Sequence, residues 1–311
     1  MGEAIIEIGK RNGGALSTVI DNYLQNFLSD HTKAAYLSDF TDFGVFLNKI
    51  GVKIIHPRDV STTHVIKYRD YLRENYSPTS INRKLSALSS LFQELCCAQV
   101  VDINPVGGVK RPPSIVKRER LGFSDREVNR ILESYPTENL QGLNNRAVLT
   151  FLFFTGCRIS EALAVKVKDI EERAGVKAVH IRGKGEKIRT LPIHPKLSRI
   201  MDELIERRCK GPEDFLFTRF KGAGEDANEP IKRQTVGELL KTTLKRLKLD
   251  QSRSLHSSRR TVISNLLQSG ARIESVANLA GHANVNTTLR YNVRQENMED
   301  NPLLTLKYIA D

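Results

Sequence analysis

Between Leu255 and Tyr291 the sequence combines helical periodicity with polar residues that a hydrophobic core would not select. Leu266, Leu267, Val276 and Leu279 fall at helical spacing, and Ser269-Gly270 divides the stretch into two helices. His256 and Arg259 lie three residues apart, so they share a face of the first helix. His282 follows a glycine at the end of the second helix, and Tyr291 comes nine residues later. Two histidines, an arginine and a tyrosine near helix ends are placed to converge on one anion.

Charge supplies a candidate for that anion. The 311 residues leave room for two domains, each with its own core. They carry 48 Lys+Arg against 36 Asp+Glu, a net charge of +12. Basic residues gain free energy by displacing counterions from phosphates, so a polyanionic partner is the natural expectation. Cys96, Cys97, Cys157 and Cys209 form no Cys-x-x-Cys pair, which argues against a zinc site and a disulfide framework and fits a reducing compartment. No apolar run has the length of a signal peptide or a membrane span, so the expected location is the cytoplasm.

Residues 1–14 read as a loose lead-in, and 15–106 as an all-α domain of four amphipathic helices. The first covers Leu16 to Leu28. The second places Tyr36, Phe40, Phe43, Leu47 and Ile50 on one face and ends at Gly51. The third starts near Ser61. The fourth opens with Ser77 as N-cap and Pro78 at the first helical position, and carries Ile81, Leu85, Leu88, Phe92 and Leu95. Asn82, Arg83, Lys84 and Ser89 interleave with them as a polar face suited to phosphates, although taken alone such a face is better explained by simple solvation.

Residues 107–120 read as a basic linker stiffened by Pro112-Pro113, in which Lys110, Arg111, Lys117 and Arg118 suit a DNA backbone. A second, α+β domain is expected over 121–294. Ser124 to Glu127 has capping-box spacing, a strongly apolar helix runs from Arg146 to Phe154, and Ser160 is the expected N-cap of the next helix. Val176 to Ile181 and Ile188 to Ile193 read as paired strands around Gly183-Lys184-Gly185-Glu186-Lys187. Further helices are expected around Arg199 to Arg207 and Val236 to Leu247, with an exposed loop from Lys221 to Pro230. Residues 295–311 form a tail whose apolar end, 303–309, is too short to fold alone and must dock. The whole is mainly α with a small antiparallel sheet.

Breaking a phosphodiester with a side-chain nucleophile makes specific demands. Charge on the non-bridging oxygens must be stabilised, the nucleophile must lose a proton and the leaving alkoxide must gain one. Arginine suits the oxygens, histidine shuttles protons near neutrality, and a lysine beside other cations can act as the acid. A phenol, with a reference pKa near 10, needs cationic surroundings. Arg158, Lys184, His256, Arg259, His282 and Tyr291 supply these groups, although each alone has a plainer structural explanation.

Their order and local setting resemble the tyrosine recombinases, the phage integrase family. Thr155-Gly156-Cys157-Arg158-Ile159-Ser160-Glu161 is similar to the Thr-Gly-x-Arg-x-x-Glu signature, and Lys184 sits in Gly-Lys-Gly-x-Lys-x-Arg. His256-x-x-Arg259, Leu279-x-Gly281-His282 and Tyr291 follow in order, and Ser77 to Leu85 resembles the family's core-binding domain. Ser258 and Arg260 depart from the pattern, where an apolar residue and a histidine are common.

The resemblance implies a two-domain, Xer-like site-specific recombinase. Tyr291 would form a 3′-phosphotyrosyl link, Arg158 and Arg259 would bind the non-bridging oxygens with help from His282, His256 would accept the phenolic proton and Lys184 would protonate the leaving group. Glu161 would hold the site together. It implies no metal, no ATP and no other cofactor. It also implies a homotetramer on two double-stranded DNA sites, strand exchange through a Holliday junction, and residues 303–309 docked on a neighbouring protomer. Two other readings fit less well: a type IB topoisomerase-like enzyme with the same chemistry, which has no use for the apolar tail, and a helix-turn-helix regulator suggested by the break at Gly270, which leaves Arg158, Lys184, His282 and Tyr291 without work. The DNA target and the biological task are not encoded legibly.

Overall fold

The protein is described here by a computed structural model covering residues 20, 22–27, 29–52, 56–113, 122–183, 185, 187–208, 210–221, 225–289 and 291. The lead-in, Lys117, Arg118, Lys184 and the tail lie outside the described residues. The chain divides into two compact units, Met1–Lys117 and Arg118–Asp311.

In the first unit, α1 (Asp30–Lys49), α2 (Thr62–Arg73) and α3 (Pro78–Cys97) start where their caps dictate. The Ser29, Ser61 and Ser77 hydroxyls accept from the backbone N–H of Thr32, His64 and Ser80, which satisfies donors that a helix start leaves orphaned. Phe40, Phe43, Leu47, Val65, Leu72, Ile81, Leu85, Leu88 and Leu95 then bury one common core. Each such side chain contributes about 1.5–3 kcal/mol on burial.

Lys84 is a correction. It is only 5% exposed and donates to Asp39 Oδ1 at 3.0 Å and Asp42 Oδ2 at 2.5 Å. The reason is helical phase: position 84 lies three after Ile81 and four before Leu88, on the buried side of α3. Burial opposes its charge, but hydrogen bonds to Asp42 and Asp39 outweigh that and hold its pKa above the usual range. Arg83 keeps an exposed side chain, yet its guanidinium grips both oxygens of Asp39.

The start of the basic stretch lies against this unit. Val109 is buried in its core, Asn82 Nδ2 donates to Pro112 O at 3.0 Å, and Arg111 Nη1 donates to Asn82 O at 3.0 Å and Ser86 Oγ at 2.8 Å.

The second unit comprises α4 (Asp125–Glu133), α5 (Leu140–Thr155), α6 (Ile159–Leu163), β1 (Ile170–Arg173), β2 (Val176–Arg182), β3 (Ile188–Pro192), α7 (Pro195–Arg207), β4 (Thr218–Lys221), β5 (Glu225–Pro230), α8 (Arg233–Arg246), α9 (Leu255–Gln268), α10 (Ile273–Ala280) and α11 (Val285–Leu289). Helix α5 is its centre, with Leu143, Ala147, Val148, Phe151 and Leu152 all at 1% exposure or less. It starts earlier than the apolar run, because Asn139 Oδ1 accepts from Gly142 N at 2.7 Å and caps it. The capping box at Ser124 forms as its spacing requires.

Strands β1, β2 and β3 form an antiparallel sheet in that order, and buried Val179 pairs with buried Leu191. Strand β1 has no counterpart in the sequence reading, since Ile170-Glu-Glu-Arg173 shows no apolar alternation and lies mostly exposed on the sheet edge. The expected loop from Lys221 to Pro230 is instead largely strand: β4 and β5 pair antiparallel, held by backbone bonds and not by an apolar pattern. Ser160 is not the N-cap of α6; Arg158 is, and its backbone N–H donates to Glu161. Among the described residues, no helix is long and apolar enough to cross a membrane.

Candidate active site

Helix α5 ends at Gly156, whose φ of +60° belongs to the left-handed region. A Cβ there would stand 3.0 Å from Val262 Cβ, so the glycine also lets the turn seat against α9. Opposite the turn, Arg259 is 1% exposed. Its Nη1 donates to Gly156 O at 2.9 Å and its Nη2 to Ala280 O at 2.6 Å. One guanidinium thus joins the turn after α5 to the C-terminal end of α10, where carbonyl dipoles favour a cation. Burial and nearby Arg158 push its pKa down from arginine's ordinary value.

Arg158 is more open, with 45% of its side chain exposed, and its Nη1 donates to Glu161 Oε1 at 2.8 Å. Glu161 is buried and also accepts from the Arg158 backbone at 2.9 Å and from Arg189 Nη2 at 2.6 Å. Burial works against the Glu161 carboxylate, but these bonds, led by the one from Arg189, outweigh it and hold the carboxyl below the usual range.

Tyr291 is buried in a small apolar cluster with Ile263, Leu267, Val276 and Ala280. Its Oη lies 3.3 Å from His256 Nε2, and its ring stacks on that of His282. The Arg260 guanidinium sits 5.5 Å from the Tyr291 ring centroid, a cation–π approach. His282 Nδ1 pairs with Thr288 Oγ1 at 2.8 Å. Desolvation, then Arg259 and Arg158, push the His282 pKa down to about 4. The His256 pKa is lowered by desolvation and then by Arg259, Arg260 and Arg158. Both imidazoles are therefore neutral near pH 7, and a neutral imidazole can accept a proton.

A cavity of ≈ 720 Å³ opens beside this constellation, and Arg158, His256 and Arg259 line it together with Arg233, Lys241 and Arg253. Cys157 also borders it, but burial pushes that thiol up to about 11 and removes it as a competing nucleophile. Among the described residues, no cluster of three His, Cys, Asp or Glu could hold a metal ion.

The fold thus brings together Arg158, Glu161, His256, Arg259, His282 and Tyr291. Lys184 lies outside the described residues; the hairpin around it is closed by Gly183 N donating to Lys187 O at 2.8 Å. Arg83, Lys84, Lys110 and Arg111 belong to the first unit. Sequence reasoning gave no role to Arg189, Arg233 or Arg253, although Arg189 ends the Gly-Lys-Gly-x-Lys-x-Arg run.

The sequence profile described as "Phage integrase family" matches residues 123–298, more than half of the chain. The chain belongs to the phage integrase family. A second profile, "Phage integrase, N-terminal SAM-like domain", matches residues 21–99 of the helical unit. A tyrosine recombinase of Pseudothermotoga lettingae is 30% identical over 284 residues, covering 88% of this chain and 93% of its own. Tyrosine recombinase XerD of Listeria monocytogenes is 26% identical, covering 85% of this chain and 88% of its own. The fold resembles XerH site-specific recombinase bound to a palindromic difH substrate in a post-cleavage complex, with a TM-score of 0.68, 18% identity, and coverage of 88% of this chain and 78% of that one. This integrase-family chain is a tyrosine-type site-specific DNA recombinase.

Proposed function

We propose that the recombinase cuts and rejoins duplex DNA through Tyr291, with the role of each residue set by the atoms it presents. Tyr291 Oη bonds to the scissile phosphorus, the bond from phosphorus to the 5′ oxygen breaks, and a 3′-phosphotyrosyl link and a free 5′-hydroxyl result. His256 takes the phenolic proton through Nε2, and Lys184 supplies a proton to the departing oxygen. Arg158 and Arg259 stabilise charge on the non-bridging oxygens, with His282 as a neutral hydrogen-bond partner. The phosphotyrosine conserves the bond energy, so rejoining needs no ATP, and the guanidiniums take the electrostatic role a metal would otherwise fill. The observation that carries this reading is the 3.3 Å approach of Tyr291 Oη to His256 Nε2 beside Arg158 and Arg259.

Arg83, Lys110 and Arg111 of the first unit, and Lys117 and Arg118 of the basic stretch, contact DNA phosphates. Lys84 is spent on Asp39 and Asp42 and plays no such part. Four protomers act on two sites and exchange strands through a Holliday junction. The tail, 303–309, docks on a neighbouring protomer; a groove of ≈ 770 Å³, in which Val128, Leu132, Phe153, Phe154 and Leu266 sit among charged and polar side chains, is the candidate seat.

A nicked suicide DNA substrate tests the reading. The wild type becomes covalently trapped with or without chelator and Tyr291→Phe does not. Trapping that persists in Tyr291→Phe, or that requires added Mg²⁺, overturns it.

A further inference from the structure

Arg189 on β3 has no part in the scheme above, yet it touches three of the segments that build the site. Only 14% of its side chain is exposed. Its Nη2 donates to Glu161 Oε2 at 2.6 Å, and its Nε donates to Leu279 O at 2.9 Å. Arg259 takes the next carbonyl, Ala280 O, so two guanidiniums fasten successive C-terminal carbonyls of α10. The turn that follows fits around Arg189: a Cβ on Gly281 would meet Arg189 Nη1 at 3.0 Å and Cζ at 3.2 Å. His282 is the next residue. At its other end, β3 leads back into the hairpin that carries Lys184.

Glu161 explains why a cation is needed there. The carboxylate is buried and gives one oxygen to Arg158 Nη1 and the other to Arg189. Without Arg189, the buried carboxylate would keep Arg158 as its one hydrogen-bonded side-chain cation among the described residues. It would draw that guanidinium inward and cancel the charge that the phosphate requires.

We propose that Arg189 is a positioning residue for strand cleavage: it neutralises Glu161 so that Arg158 keeps its charge for the phosphate, and it fixes the end of α10 so that His282 faces Tyr291. This rests on the reading of Tyr291 as nucleophile, and the wild-type control separates the two, because a wild type that is not trapped on the suicide substrate refutes that reading whatever Arg189 does.

With the full chain, Arg189→Gln should bind the uncleaved site within about threefold of wild type but cleave about 10- to 100-fold more slowly, the range for losing a charge-assisted hydrogen bond. Adding Glu161→Gln removes the uncompensated carboxylate, so the double variant should cleave about tenfold faster than Arg189→Gln alone. Arg189→Lys, which keeps the charge but not the fork, should fall between Arg189→Gln and wild type. A merely structural arginine predicts lower Tm in every variant and no recovery in the double. That result, or cleavage by Arg189→Gln within twofold of wild type, overturns the proposal.

Discussion

The His282 ring lies nearly parallel to that of Tyr291, 15° between planes and 5.8 Å between centroids, while its Nδ1 is tied to Thr288. The histidine orients the tyrosine without carrying charge, because desolvation and the surrounding arginines favour the neutral ring.

Acid should therefore weaken the second unit. A histidine whose folded pKa is about 4 against 6.5 for the free group adds stability that is complete above 6.5 and is lost as pH falls toward 4. Urea denaturation between pH 7 and pH 4.5 should show the loss, and His282→Gln should reduce it. The lowered His256 pKa likewise places the acidic limb of the cleavage rate below pH 6.5, measurable by single-turnover trapping.

Arg259 should matter for folding as well as for chemistry. Arg259→Ala leaves Gly156 O and Ala280 O without their buried donor, which costs about 2–4 kcal/mol in urea denaturation. Arg259→Lys, unable to span both carbonyls, should recover part of that stability while cleavage stays at least about 100-fold down.

Gly142→Ala should destabilise, although alanine is favoured over glycine within helices by about 1 kcal/mol. The added Cβ would stand 1.9 Å from Pro136 O, a backbone atom, so the start of α5 must shift. A loss of about 1–3 kcal/mol is expected by thermal or urea denaturation.

Lysines of the first unit should separate by role. Lys84→Met removes a partner of Asp39 and Asp42 and should cost about 1–3 kcal/mol of stability without changing the salt dependence of DNA binding. Lys110→Ala should leave stability alone and lower the slope of log K against log salt by about 1.

The sequence disclosed those features whose causes are local. The caps at Ser77 and Ser124, the helix start near Ser61 and the glycine end of α5 are set within four residues, so spacing reveals them. His256 and Arg259 were legible for the same reason, since one helical turn sets them together. Strand β1 and the β4–β5 hairpin were not, because backbone pairing with distant or weakly patterned residues stabilises them. The polar spacing around Lys84 suggested solvent, whereas helical phase and two aspartates over forty positions away placed it inside. Arg189 was hidden in the same way: its partners Glu161 and Leu279 lie 28 and 90 positions off, and no local rule joins them.

The bond from Arg259 to Gly156 links residues 103 positions apart, and its companion reaches Ala280. A chain still emerging from the ribosome, or truncated before α10, has its first arginine but nothing to square the pocket against. The pocket is therefore square only when α5, α9 and α10 have all docked on one another, so its assembly is a late and cooperative event in the folding of this unit.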